Sequence, residues 1–225
     1  SLCDADDAWL RVLVEKPYGT DLETAETIDQ VLCDTFASNQ LFRIDHYLAK
    51  QSLQNVITLR FRNQLFSGSW NNEFIKEIHV KMYEQSTVAD RGGFYDNIGA
   101  FRDVGQNHLL QLLAATTMEP PKNDTTEAMR SQRAAIFKQM QVAEQSDKEI
   151  IRGQYEGYRQ TDGVRDGSKT ETYFRLPAEI ASDRWRGVPI IIESGKGMAG
   201  DRVEIEITFR ESTVRYNSVE PTDGN

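Results

Sequence analysis

The chain has 225 residues, 39% of them hydrophobic and 27% charged. That is enough for a buried core in one large domain, or one and a half smaller ones. A formal net charge of −9 and an isoelectric point near 4.9 exclude the electrostatic footprint of a nucleic-acid or anionic-membrane binder, so an anionic substrate would need a local basic cluster. Cys3 and Cys33 are too few and too far apart for a metal site or disulfide framework and read as reduced thiols of a cytoplasmic protein. Apolar runs such as Val188–Ile192 are too short to span a bilayer, and no signal peptide is evident.

Residues 9–15 predict a mostly buried parallel strand, broken by Lys16-Pro17-Tyr18-Gly19. Asp21 is a helix N-cap, and helical spacing runs from Leu22 to Ala37 before a short strand at 41–44. A strand that opens a chain and leads into a helix normally belongs to a sheet begun earlier, so the expectation is a fragment of a longer protein. Residues 1–45 then read as the C-terminal part of a Rossmann-like, doubly wound dinucleotide-binding domain.

From Asp45 the pattern changes. Residues 47–55 read as helix and 56–62 as an apolar strand. Residues 75–84 alternate, with Ile78, Val80 and Met82 on one face and Glu77, His79, Lys81 and Tyr83 on the other. A leucine-rich helix is predicted at 98–118, a polar helix at 125–142 and a glycine-rich turn region at 153–169. Strands follow at 170–176, 188–193 and 202–210. Strands clustered after helices predict a mainly antiparallel sheet with helices on one face. The fold class is thus α/β plus α+β, with 46–225 an α+β substrate-binding domain, incomplete at its C-terminus.

Chemistry-bearing residues cluster at a few places. Asp45, His46, Tyr47 and Lys50 fall at the C-terminal edge of the doubly wound unit, where ligands bind in such folds. His46 and Lys50 share a helix face, which suits a phosphate; a solvated lysine and a capping histidine fit the spacing equally well. Asp103 and His108 interrupt an apolar helix. Five residues apart, they sit about 140° from each other on a regular helix, so they share a ligand only if it lies between them or the helix is irregular. Gly105 would permit irregularity. A half-buried histidine with a carboxylate partner has the properties of a general base, although a lone histidine is more often a satisfied core residue. Glu84 ends a strand, Lys196 sits on a glycine turn and Lys16 follows a parallel strand; surface carboxylate, hairpin lysine and loop charge are the alternatives. His79 reads as an exposed sheet residue.

Jointly these residues say more. Arg-Ile-Asp-His-Tyr-Leu-Ala-Lys at 43–50 resembles the signature of the glucose-6-phosphate dehydrogenase family. So do Arg-Gly-Gly-Phe-Tyr-Asp at 91–96 and Arg-Asp-Val-Gly-Gln-Asn-His-Leu-Leu-Gln at 102–111. Glu-Lys-Pro-Tyr-Gly at 15–19, Trp70-Asn71, Gly-Gln-Tyr at 153–155, Thr-Glu-Thr at 170–172, Trp-Arg-Gly-Val-Pro at 185–189 and Gly195-Lys196 continue the resemblance in order.

The resemblance implies that His108 is the general base toward the C1 hydroxyl of glucose 6-phosphate, oriented by Asp45. It implies that His46, Tyr47 and Lys50 bind phosphate, and that Glu84 and Asp103 bind sugar hydroxyls. Lys196 would reach the substrate, Arg202 would follow it as a second cation, and Lys16 and Pro17 would face the cofactor, NADP or NAD. The hydride from C1 would pass to the nicotinamide, giving the lactone that opens the pentose phosphate pathway. The parent enzyme would be a cytoplasmic homo-dimer or tetramer, with no nucleic-acid or membrane partner. Departures are Ala49 where the family usually has Gly, Gln51 where it has Glu, and Glu193 where Arg is common. No Gly-x-Gly-x-x-Gly loop is present, so one is expected upstream of Ser1, and the isolated chain is expected to be inactive. The rival readings are a non-catalytic, truncated sugar-phosphate-binding module, or another sugar dehydrogenase with a Glu-Lys-Pro loop.

Overall fold

The computed structural model describes residues 10–16, 18–44, 51–143 and 150–211, with only the backbone of Ser52. The first unit is a parallel β–α–β: β1 (Val12–Val14), α1 (Leu22–Thr35) and β2 (Leu41–Arg43), with Val12 opposite Leu41. Asp21 caps α1 as expected: its carboxylate accepts from the Thr24 backbone N–H at 2.8 Å, and the Thr24 side chain returns a bond in a capping box. The expectation of a mostly buried strand is corrected, because Leu13 is 65% exposed and α1 buries no residue.

The second unit is a six-stranded mixed sheet with helices on one face. After α2 (Gln51–Phe61) and a short α3 (Gln64–Ser67) comes β3 (Ile75–Glu84). A short α4 (Gly92–Tyr95) precedes a nine-residue π-helix (Phe101–Leu109), which runs directly into α5 (Leu110–Thr117). α6 (Thr126–Gln139) leads into β4 (Met140–Val142); β5 (Ile151–Gly153), β6 (Tyr173–Ile180), β7 (Ile190–Lys196) and β8 (Arg202–Phe209) follow. The strand order is β4-β6-β7-β3-β8, with β5 also pairing β6. Every ladder is antiparallel except β3 with β7.

Two secondary-structure expectations fail in this unit. Residues 56–61 are helix rather than strand, because Leu53, Ile57 and Phe61 recur at helical spacing and press that face into the core. Residues 140–142 leave the predicted polar helix and pair with β6, Met140 opposite Ile180, since a free sheet edge offers unpaired backbone groups.

The alternation in β3 sets the layers. Ile78, Val80 and Met82 are buried with Ile190 and Ile192 of β7, beneath Leu109, Leu112 and Leu113. α5 ends inside the protein, where its last carbonyls have no intrahelical donors. Side chains supply them: Arg60 donates to the Ala115 and Met118 carbonyls at 2.6 and 2.7 Å. Trp70 Nε1 donates to Thr116 O and Trp185 Nε1 to Thr117 O, each at 2.7 Å. Burial pulls the Arg60 guanidinium down to about 9, with repulsion from Arg184 adding to it.

Candidate functional site

β3 and β7 run parallel and end together, Glu84 opposite Lys196. Both side chains project to the helix-bearing face, the Lys196 ammonium donating to Glu84 Oε2 at 2.6 Å. Lys196 is 5% exposed and reaches Asp103 Oδ2 at 3.8 Å. From the other unit, the Lys16 ammonium donates to the Asp103 backbone carbonyl at 2.8 Å and to its Oδ1 at 3.2 Å. Two lysines and two carboxylates thus converge from four separate segments. Such a set offers both acceptors and donors to a polyhydroxylated ligand.

The π-helix resolves the spacing problem of Asp103 and His108. With i→i+5 bonding each turn takes up more residues than on a regular helix, so residues five apart swing back toward the same side instead of diverging. Asp103 therefore shares a face with His108, which is 4% exposed. Close packing explains where this wide helix can lie: a Cβ on Gly105 would stand 2.8 Å from the Phe174 ring and 3.0 Å from that of Phe101. Only glycine lets the π-helix approach β6 so closely. At its start, Phe101 N–H donates to the Glu171 carboxylate at 3.2 Å.

Behind these groups, Asp96 fastens the 154–172 loop. Its carboxylate accepts from Tyr158 Oη at 2.9 Å, Arg165 Nε at 2.7 Å and the Ser168 hydroxyl. Burial pushes the Asp96 carboxyl up, but the bonds from Ser168, Arg165 and Tyr158 outweigh it and hold it far below the usual carboxylate range.

The structure thus joins Glu84, Asp103, Lys196 and Lys16, and places His108 on the face of Asp103. It does not bring Arg202 to them. Arg202 stands opposite Tyr83, one residue out of phase with Glu84, so the strand alternation sends it to the outward face of the sheet, where it pairs with Glu204 at 3.5 Å. Asp45, His46, Tyr47, Lys50 and Pro17 lie outside the described residues.

His79 is a second correction. Its side chain is 15% exposed and its Nε2 lies 2.9 Å from Glu193 Oε2. Glu193 also accepts from Tyr83 Oη at 2.6 Å and Tyr173 Oη at 2.8 Å. Burial raises the Glu193 carboxyl, yet the two tyrosine bonds and His79 bring it below its ordinary value. Burial, reinforced by Lys81, pulls the His79 imidazole down, and Glu193 offsets only part of this. No periodicity in β3 signals this cluster, because its acceptor comes from β7, 114 residues away.

A family model for the C-terminal domain of glucose-6-phosphate dehydrogenase matches residues 57–223, and one for its NAD binding domain matches residues 1–55. The chain is 39% identical over 203 residues to the cytoplasmic glucose-6-phosphate 1-dehydrogenase 6 of Arabidopsis thaliana, covering 90% of this chain and 39% of that protein. It is 43% identical over 200 residues to glucose-6-phosphate 1-dehydrogenase 1 of Mycobacterium tuberculosis, covering 89% and 42%. A solved glucose-6-phosphate dehydrogenase in complex with its substrate glucose-6-phosphate superimposes with TM-score 0.86 at 37% identity, covering 92% of this chain and 44% of that one. The enzyme from Mycobacterium avium superimposes with TM-score 0.83 at 40% identity, covering 94% and 47%. The chain therefore spans about two fifths of the length of the curated relatives it matches. With the two family models together matching residues 1–55 and 57–223 and the fold shared with solved members, this chain belongs to the glucose-6-phosphate dehydrogenase family.

Proposed function

We propose that the chain carries the sugar-phosphate site and the catalytic histidine of a glucose-6-phosphate 1-dehydrogenase, which oxidises C1 of glucose 6-phosphate to the lactone. The observation that carries this reading is the convergence of Lys196, Glu84, Asp103 and Lys16 beside a π-helix that turns His108 toward the side of Asp103. Glu84 and Asp103 accept from sugar hydroxyls, and Lys196 fixes both carboxylates while offering a donor to the substrate. His108 takes the C1 hydroxyl proton as C1 loses hydride; Asp45 orients its imidazole, and His46, Tyr47 and Lys50 grip the phosphate. General-base assistance of this kind contributes roughly 10²–10⁴-fold.

Residues 1–45 are proposed as the tail of the Rossmann domain. The residues present fit a nicotinamide nucleotide, NADP or NAD: β1 and β2 are parallel, and Lys16 lies just past the C-terminal end of β1, the edge at which dinucleotides bind in open α/β sheets. When bound there, the nucleotide supplies the hydride acceptor. Lys16, tied to Asp103, keeps that edge in register with the sugar.

Calorimetric titration with glucose 6-phosphate tests the binding half of this reading. Saturable heat is expected, and Lys196→Gln should weaken binding by about tenfold or more, since it removes a donor to the substrate and leaves Glu84 without its cation and Asp103 with Lys16 alone. No heat at millimolar ligand would overturn the reading; equal affinity for unphosphorylated glucose would favour a different sugar dehydrogenase. His108→Asn tests the chemical half in an enzyme completed with a relative's nucleotide loop, where turnover should fall by about a hundredfold or more.

A further inference from the structure

In the Arg-Gly-Gly-Phe-Tyr-Asp segment the two aromatic residues sit in the reverse of the usual order. Phe94, wholly apolar, is 54% exposed, whereas Tyr95, with its hydroxyl, is 3% exposed. The Tyr95 Oη is buried and has no hydrogen-bond partner among the described residues. Buried tyrosine hydroxyls normally find one. An orphaned hydroxyl beside a ligand site therefore points to a partner that arrives with the ligand.

Its surroundings identify the site. The Lys196 ammonium lies 5.8 Å from the centre of the Tyr95 ring, within cation–π range. Burial raises the phenol well above its ordinary value, and the negative charges of Asp103, Glu171 and Glu84 raise it further, Tyr158 contributing between them. The hydroxyl thus lies within electrostatic reach of both carboxylates that line the site, and it stays protonated, as a donor, at neutral pH. The ring is held in place from behind: it meets Tyr158 edge-on at 6.2 Å, and Tyr158 is fastened to Asp96, the next residue along the chain.

We infer that Tyr95 is a substrate-positioning residue whose hydroxyl hydrogen-bonds one hydroxyl of the sugar held by Glu84 and Asp103, while its ring steadies the Lys196 ammonium. This rests on the sugar-phosphate reading of the site. It adds a neutral donor to a set otherwise made of charges, and a neutral donor discriminates between hydroxyl patterns because deleting its partner leaves it unpaired.

Tyr95→Phe removes the hydroxyl and keeps the ring. Circular dichroism and thermal unfolding should match the parent chain, because no hydrogen bond among the described residues is lost. Calorimetric titration with glucose 6-phosphate and its 2-, 3- and 4-deoxy analogues then reads the contact. Glucose 6-phosphate should bind Tyr95→Phe about tenfold more weakly than the parent chain, the equivalent of one hydrogen bond. For one deoxy analogue that difference should vanish. Tyr158→Phe, which loosens the Asp96 anchor, should lower the unfolding temperature yet keep the parent's ranking of analogues. Equal affinity of parent and Tyr95→Phe for every ligand, or an equal loss for all of them, would overturn the direct contact. Failure of the parent chain itself to bind glucose 6-phosphate would sink the sugar-phosphate reading, and this inference with it.

Discussion

Leu13 of β1 and Ile78 of β3 both lie on parallel strands, yet Leu13 is 65% exposed and Ile78 is fully buried. The contrast extends to the units around them. Leu10, Leu22 and Val31 of the β–α–β unit are exposed, whereas the six-stranded sheet buries a continuous cluster from Leu53 to Ile192. Secondary structure in the first unit is held by local means: the capping box at Asp21, the β1–β2 ladder, and the bond from Tyr18 Oη to Asp29 at 2.8 Å. The second unit is held by burial against a layer of helices. Local signals suffice to make a strand, but only a second layer makes a core.

Substitutions can break that contrast. Leu113→Ala in the sheet unit should destabilise the chain by about 2–5 kcal/mol in urea unfolding, while Leu13→Ala should stay within about 0.5 kcal/mol. Comparable effects would refute the division. Trp185→Phe tests the buried end of α5: without Nε1 the Thr117 carbonyl loses its donor, at about 1–3 kcal/mol.

Asp96→Asn probes the acid limb of stability. A carboxyl with a folded-state pKa below its unfolded value contributes stability above the unfolded value, about 3.9, and loses it as pH falls toward the folded one. The parent chain should therefore weaken steeply below about pH 4, and Asp96→Asn should flatten that limb while lowering stability at neutral pH. Retention of the same steep limb would reassign it to other carboxylates.

The smallest expected effect belongs to the outward face. The folded-state pKa of His79 is below its unfolded value of about 6.5, so the unfolded chain binds the extra proton and stability drops as pH falls below about 6.5. Glu193 keeps the loss modest. His79→Gln should remove the pH 5–7 slope of the unfolding midpoint, and an unchanged slope would place that titration elsewhere.

Much of this was legible in the linear order of residues. The Asp21 cap, the alternation of β3 and the three late strands follow from spacing alone, because caps and face patterns depend on neighbours within a turn or two. The resemblance carried by residues 43–50 and 102–111 pointed to the family that the comparisons show. Residues 56–61 read as a strand in isolation because a short apolar run carries no period of its own until Leu53, one turn earlier in α2, is counted.

Tertiary structure alone decided the rest. Gly105 permits an irregular helix at 101–109, but the folded chain decides that it widens, turns Asp103 and His108 toward one side and lies close against Phe174. Register, not spacing, turned Arg202 away from Lys196, and a β7 carboxylate took His79 out of solvent. Residue order along the chain determined which elements form and which chemical groups are present. Which of those groups meet was decided by pairings between segments about a hundred residues apart, whose free energy comes from burial shared between layers and not from any stretch alone.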